Sequence, residues 1–311
     1  MACKKHPGPP FAVDRFQIAE ESLAAAPALG LGTAQFQKAI EDTLLKQGAG
    51  VLKRGSTLRS DTPLYKLRAE VEYARELDSA WPDGGTGRQD EVSIALELIP
   101  TVGDREARVV GPGVGLVPAP ATNADPDARG AAFQTALHQA VEEATAVLVR
   151  GALARAKESS ALEADLQSPD AGIREAAADV LVDRHDLAAV PVLIEELSNP
   201  DDRVKMKSVG ELVELKARAA VPQLIELTES KDPNHDVDPH LEVQIIYALG
   251  SIGGDDAEAY LYTISSGHPD EMVRRAATEA SAELRSHRGP SKSETDAADA
   301  RAAVPATGRS P

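Results

Sequence analysis

Pro169-Asp170-Ala171-Gly172-Ile173-Arg174-Glu175-Ala176-Ala177 returns as Pro200-Asp201-Asp202-Arg203-Val204-Lys205-Met206-Lys207-Ser208, and again as Pro269-Asp270-Glu271-Met272-Val273-Arg274-Arg275-Ala276-Ala277. A second phrase, Ala189-Val190-Pro191-Val192-Leu193-Ile194, recurs as Ala220-Val221-Pro222-Gln223-Leu224-Ile225. Alignment puts Ile173, Val204, Leu241 and Val273 in register, 31, 37 and 32 residues apart. It also superposes Leu181, Leu212 and Leu249 at one apolar position, where the fourth unit has Ser281, and Leu162, Leu193, Leu224 and Leu261 at another. Repetition at this period marks a solenoid of helix pairs, each burying its apolar face against its neighbours.

Each part of the repeated unit has a physical task. Ser168-Pro169, Asn199-Pro200 and His268-Pro269 open a turn into a first helix, with a carboxylate in the first turn where the helix dipole favours it. Pro191 and Pro222 stand at the start of a second helix, where a missing N–H costs nothing. Ala177, Ser208 and Ala277 are small enough to let neighbouring helices approach closely.

The Pro-Asp-x-x-Val-Arg-x-x-Ala and Val-Pro-x-Leu patterns resemble HEAT repeats, and more narrowly the short HEAT-like repeats of phycobilisome lyases. The resemblance covers residues 161–285 and implies about four helix pairs, near the minimum for a stable solenoid. Such repeats serve unrelated proteins as scaffolds, so the fold does not carry an activity with it. The lyase activity implies chromophore binding helped by aromatic, Asp and Arg side chains. Here second-helix aromatics are confined to Tyr260 and Tyr262, and that activity is not expected.

Upstream of the repeats the periodicity differs. Residues 1–12 read as a linker, with Pro7, Gly8, Pro9 and Pro10 in a row. An Ala-rich stretch from Phe16 to Leu29 suits a short helix, and Phe36, Ile40, Leu44 and Leu45 recur at helical spacing after a candidate cap at Thr33. In 64–73, Tyr65, Leu67, Ala69, Val71 and Tyr73 alternate with charged residues, and Val92, Ile94, Leu96 and Leu98 repeat the alternation. This predicts an antiparallel hairpin with one wet and one dry face, joined by a loop that holds the single Trp, Trp81. Residues 51–57 and 108–117 are weaker strand candidates, and the run Gly111-Pro112-Gly113-Val114-Gly115 is no phosphate cradle, because Pro112 removes a donor. A long helix over 131–157 carries Phe133, Leu137, Val141, Ala144, Leu148 and Leu153 on its apolar side, with His138 expected to pack among them. That helix is expected to cap the first repeat. The fold class is thus an α+β domain over 13–158, a small antiparallel sheet with flanking helices, then an all-α HEAT-like solenoid over 159–288. Residues 289–311 lack periodicity and are expected to be a disordered tail.

Charge narrows the partners. The chain carries a net −17, and residues 161–288 hold 12 basic against 26 acidic side chains, compared with 18 and 21 in residues 1–160. An acidic solenoid repels phosphate backbones and anionic lipid, which argues against nucleic acid and favours a basic protein partner. Glu195, Glu196, Gln223, Glu226 and Glu229, on second helices, are expected to line a concave, acidic, partner-binding face. No catalytic constellation is present: there is no Gly-x-Ser-x-Gly elbow, P-loop, His-Glu-x-x-His or dinucleotide fingerprint. The expectation is a non-enzymatic interaction scaffold without a cofactor. An alternative is a metal-binding or enzymatic protein centred on the insertion over 232–242, where Asp232, Asp236, Asp238 and His240 offer ligands. Its opening resembles an EF-hand loop but has Val237 where that loop turns on Gly, and Glu242 closes it one residue early. A second alternative is a bacterial envelope lipoprotein. Ala2-Cys3-Lys4-Lys5 resembles the end of a lipoprotein signal, which implies lipidation of Cys3 if translation starts upstream of Met1. As encoded, the chain reads as cytoplasmic, with one Cys, hence no intrachain disulfide, and no apolar stretch of membrane-spanning length.

Overall fold

The computed structural model describes residues 9–51, 62–80, 86–102, 108–120, 126–229 and 239–288. The chain divides into two compact units between Asp183 and Arg184.

The first unit is built on a hairpin of β3 (Leu64–Ala80) and β4 (Thr86–Pro100), paired antiparallel. The alternating residues form its dry face: Leu67, Ala69, Val71, Val92, Ile94, Leu96 and Leu98 are all buried. β5 (Val109–Pro118) adds antiparallel to β4, while β1 (Ala12–Ile18) lies parallel to both β3 and the two-residue β2 (Gly50–Val51). The sheet therefore has five strands in the order β2-β1-β3-β4-β5 and is mixed. The stretch from Phe16 opens as the end of strand β1, and helix α1 is confined to Glu20–Ala24. A register shift between Val13 and Arg15 explains why β1 escapes a period-two reading, since a bulge inserts one residue and breaks the alternation.

Two helices cover the dry face. In α2 (Thr33–Lys46), Phe36, Ile40 and Leu44 are fully buried. The cap is Gly32 rather than Thr33, and the Gly32 N–H donates to Gln35 Oε1 at 2.7 Å. In α3 (Pro126–Arg155) the buried stripe is Ala136, Ala140, Ala144 and Leu148. These small residues face Gly111, Gly113 and Gly115 of β5, where an added Cβ would meet the carbonyl oxygens of Ala144, Ala140 and Ala136 at 2.4, 2.0 and 1.7 Å. The glycines therefore let α3 lie against β5, and α3 side chains satisfy the strand's outward amides. Val114 N–H donates to Glu143 Oε2 at 2.7 Å, and Leu116 N–H to Gln139 Oε1 at 3.2 Å. An otherwise open sheet edge is closed this way. His138 is not packed: it is half-exposed, with Nε2 3.3 Å from Glu142 Oε1.

The same unit holds α4 (Ser159–Asp165), with Leu162 at the second-helix position, and α5 (Ala171–Asp183), the first helix of the first repeat. Helix α3 packs on α5 as its cap. Gly172 abuts the Arg150 guanidinium, and Arg155 forms an ion pair with Asp183.

The second unit continues the helix pairs. Its first helices are α7 (Asp202–Glu214), α9 (Pro239–Ile252) and α11 (Glu271–Arg288), and its second helices are α6 (Val190–Glu196), α8 (Val221–Glu229) and α10 (Asp255–Gly267). Leu193, Leu224 and Leu261, like Leu162 in the first unit, are 0 % exposed, as are Leu181, Leu212 and Leu249. The repeated Asp caps the first helices: Asp201 Oδ1 accepts from Arg203 N–H at 2.9 Å and Asp270 Oδ1 from Met272 N–H at 2.7 Å. The residue before Pro has one job in three chemistries. Ser168 Oγ, Asn199 Oδ1 and His268 Nδ1 accept from the Asp N–H two residues on, at 3.2, 2.9 and 3.2 Å. The repeated Arg ties the turn down, with Arg274 Nη1 donating to the carbonyls of His268 and Pro269 at 2.6 and 2.8 Å. The turn after the first helix holds a left-handed residue at one repeat position: His185 (φ 54), Lys216 (φ 49) and Gly253 (φ 74).

Candidate functional site

The second helices α6, α8 and α10 read Val-Pro-Val-Leu-Ile-Glu-Glu, Val-Pro-Gln-Leu-Ile-Glu-Leu-Thr-Glu and Asp-Asp-Ala-Glu-Ala-Tyr-Leu-Tyr-Thr-Ile-Ser-Ser-Gly. None holds a Lys or Arg. The described cations of this unit sit on first helices or in turns: Arg184 before α6, Arg203, Lys205 and Lys207 on α7, Lys216 and Arg218 after it, and Arg274, Arg275, Arg285 and Arg288 on α11. Charge is thus segregated by helix.

With the Leu of each second helix buried, the opposite side is presented outward. Glu195 on α6, Gln223 and Glu226 on α8, and Asp255, Asp256 and Tyr262 on α10 are exposed. Glu196 is turned elsewhere. It is half-buried and its Oε2 accepts from the fully buried Ser208 Oγ of α7 at 2.6 Å, a tie between neighbouring helices. Glu229 is the last residue of α8. A second tie, Thr228 Oγ1 to Tyr260 Oη at 2.5 Å, joins α8 to α10. Three of the five expected partner-facing residues, Glu195, Gln223 and Glu226, therefore share the exposed side of α6 and α8.

The sequence reading left out of this face Asp255, Asp256 and the aromatic Tyr262. Tyr262 occupies the repeat position of Ile194 and Ile225, both half-buried, yet is 73 % exposed. An aromatic ring at that position in the last second helix is the signal that marks it.

At the insertion, Asp232, Asp236 and Asp238 lie outside the described residues. His240 is exposed at the start of α9, and Glu242 Oε1 lies 3.3 Å from His268 Nε2. With Nδ1 accepting from Asp270, the nitrogen facing Glu242 carries the proton. Among the described residues no group of three or more His, Cys, Asp or Glu is placed to hold a metal ion. Cys3 and Trp81 also lie outside the described residues, and among those described no helix is long and apolar enough to cross a membrane.

Residues 159–237 match the family model of HEAT repeats, so this stretch is a HEAT-repeat region. No curated protein matches the chain. Among solved structures, the chain is similar to the complex of CpcE and CpcF of phycocyanin lyase from Nostoc sp. PCC7120, at 28% identity and a TM-score of 0.34. The match covers 45% of this chain and 59% of that one, so the chain spans about three-fifths of its relative's length. The expectation of a non-enzymatic protein is corrected by this finding, because the similar structure is that of a lyase. A lack of familiar motifs could not support that expectation, since catalytic groups on a repeat scaffold need no fixed spacing. At this TM-score the likeness transfers no substrate or partner to this chain.

Proposed function

We propose that the exposed side of α6, α8 and α10 binds a basic segment of a protein partner. The observation that carries this reading is the segregation of charge: carboxylates at 195, 226, 255 and 256 with no Lys or Arg on the same helices. Exposed ion pairs contribute only about 0.2–1 kcal/mol each. Their main effect is therefore on encounter, where complementary potential raises the association rate and makes it fall with salt. Tyr262 adds a ring face on which a guanidinium can stack, worth about 0.5–1 kcal/mol at an exposed site. Gln223 supplies neutral donors and acceptors for main chain.

The test uses the full chain carrying a photo-crosslinking residue at Gln223. The expected outcome is a cross-linked partner segment rich in Arg or Lys, lost when Glu195→Lys and Glu226→Lys are introduced together. Cross-links confined to acidic or apolar segments, unaffected by the double reversal, would contradict the proposal.

A further inference from the structure

The sheet of the first unit carries its own candidate site. Each arginine of β3 and β4, and Arg108 just before β5, faces a glutamate: Arg68 with Glu70 at 3.6 Å, Arg75 with Glu91 at 2.8 Å, Arg88 with Glu76 at 2.9 Å and Arg108 with Glu97 at 3.1 Å. Arg15 of β1 and Lys66 of β3 break the pattern. They are direct cross-strand partners, so their side chains leave the same face of the sheet, and neither has a hydrogen bond or ion pair among the described residues. Like charges opposite one another weaken a sheet, and nothing in the described fold offsets this pair.

Both cations line a cavity of about 490 Å³ whose other described walls are Asp14, Ile99, Pro100 and Thr101. That volume lies in the range of small-molecule sites. Ile99 is the next residue across the same row of the sheet, opposite Lys66, and gives an apolar wall beside the charges. The Thr101 hydroxyl is committed to the Leu64 carbonyl at 3.0 Å, which leaves its oxygen as an acceptor. The bulge between Val13 and Arg15 is what breaks the alternation here, and bulges commonly re-aim side chains beside a site. Asp14 forms no ion pair with either cation and sets the charge of the lining at +1, which matches a single negative charge better than two.

We infer that this cavity binds a small molecule presenting one singly charged oxyanion, a carboxylate or a phosphodiester, on an apolar body. Arg15 and Lys66 hold the anion, and Ile99 and Pro100 contact the body.

The experiment is an amide NMR titration of the full chain with hexanoate, with diethyl phosphate and with uncharged 1-hexanol. Saturable shifts at Arg15, Lys66 and Ile99 with either anion, and none with hexanol, are expected; the stronger of the two anions identifies the group. Arg15→Gln with Lys66→Gln should weaken that binding by about tenfold or more, as loss of charge-assisted hydrogen bonds does. The double variant should melt no lower than the wild type without ligand, because the cross-strand repulsion is gone. Absence of saturable shifts with both anions at millimolar concentration, equal binding of hexanol, or unchanged affinity in the folded double variant would each overturn the inference.

Discussion

Replacing Gly115 by Ala tests how α3 closes the sheet edge. The added Cβ falls 1.7 Å from the Ala136 carbonyl oxygen, where real Cβ atoms keep at least 3.0 Å, so strand and helix must part by about 1.3 Å. Parting at this point also stretches the bonds from Leu116 N–H to Gln139 and from Val114 N–H to Glu143, now 3.2 and 2.7 Å. Overpacking costs about 1–3 kcal/mol. Two hydrogen bonds, one to a charged acceptor and both able to fall back on water, add about 2 kcal/mol. The expected loss is about 3–5 kcal/mol, a large share of the 5–15 kcal/mol typical of a folded domain. For a unit of this size that lowers the thermal midpoint by about 6–20 °C. Gly130→Ala in α3 is the matched control, because nothing lies within 4 Å of its Cβ. It should stabilise by about 0.5–1 kcal/mol through helix propensity. Both variants are read by circular dichroism melts. A Gly115→Ala midpoint within about 2 °C of wild type, less than one kcal/mol at this size, would refute the packing account.

Other substitutions probe separate parts of the structure. His185→Gly relieves a left-handed residue at φ 54 and should raise the urea midpoint by the equivalent of about 0.5–1 kcal/mol, after the larger unfolded-state entropy of Gly is deducted. Lys216→Gly should gain nothing, because it also removes the Lys216 Nζ bonds to Ser251 at 2.9 Å; equal effects at the two positions would contradict this. Ser208→Ala removes the charge-assisted bond to Glu196 and should cost about 1.5–3 kcal/mol, while Glu195→Ala should change stability by less than about 0.5 kcal/mol in the same denaturation assay. Asp90 is 1 % exposed, and its Oδ2 has no hydrogen-bond partner among the described residues. Burial, with the Glu76 carboxylate adding, raises its pKa against the opposing pull of Arg88 and Arg129. The folded state therefore binds this proton more readily than the unfolded chain, and stability falls as pH rises from the ordinary Asp range through the folded pKa. Asp90→Asn should flatten that part of the profile and melt higher at neutral pH; a lower melt with an unchanged slope would show that the charged form is favoured.

What was legible in the sequence follows from periodicity. Three units repeat one phrase and a fourth falls in register around an insertion, and that repetition placed Leu162, Leu193, Leu224 and Leu261 in one buried position without any knowledge of the fold. The hairpin was equally legible, since alternation over seven or more residues has a single structural meaning. Strand β1 was not, because its bulge sets Asp14 and Arg15 side by side and cancels the period. Strand β5 looked broken by glycines. Those glycines have a reason that lies 21–33 residues away, in the Ala136, Ala140 and Ala144 stripe, and only the pairing of the two stripes makes either informative. At the candidate site, charge identified the helices but not the direction of each side chain. Glu195 and Glu196 are adjacent in sequence, yet one faces outward and the other bonds to Ser208. Helical phase alone places Tyr262 with the half-buried Ile194 and Ile225, and its exposure emerges only from the structure.

The central claim is that carboxylates on the second helices steer a basic partner. Its most direct measurement is the association rate of the cross-linked partner with the wild-type chain and with the Glu195→Lys, Glu226→Lys double variant across a range of salt. A wild-type rate that falls steeply with salt, and a variant rate at least about tenfold lower at low salt that converges with it at high salt, is the predicted result. Equal rates for the two proteins at every salt concentration would contradict it.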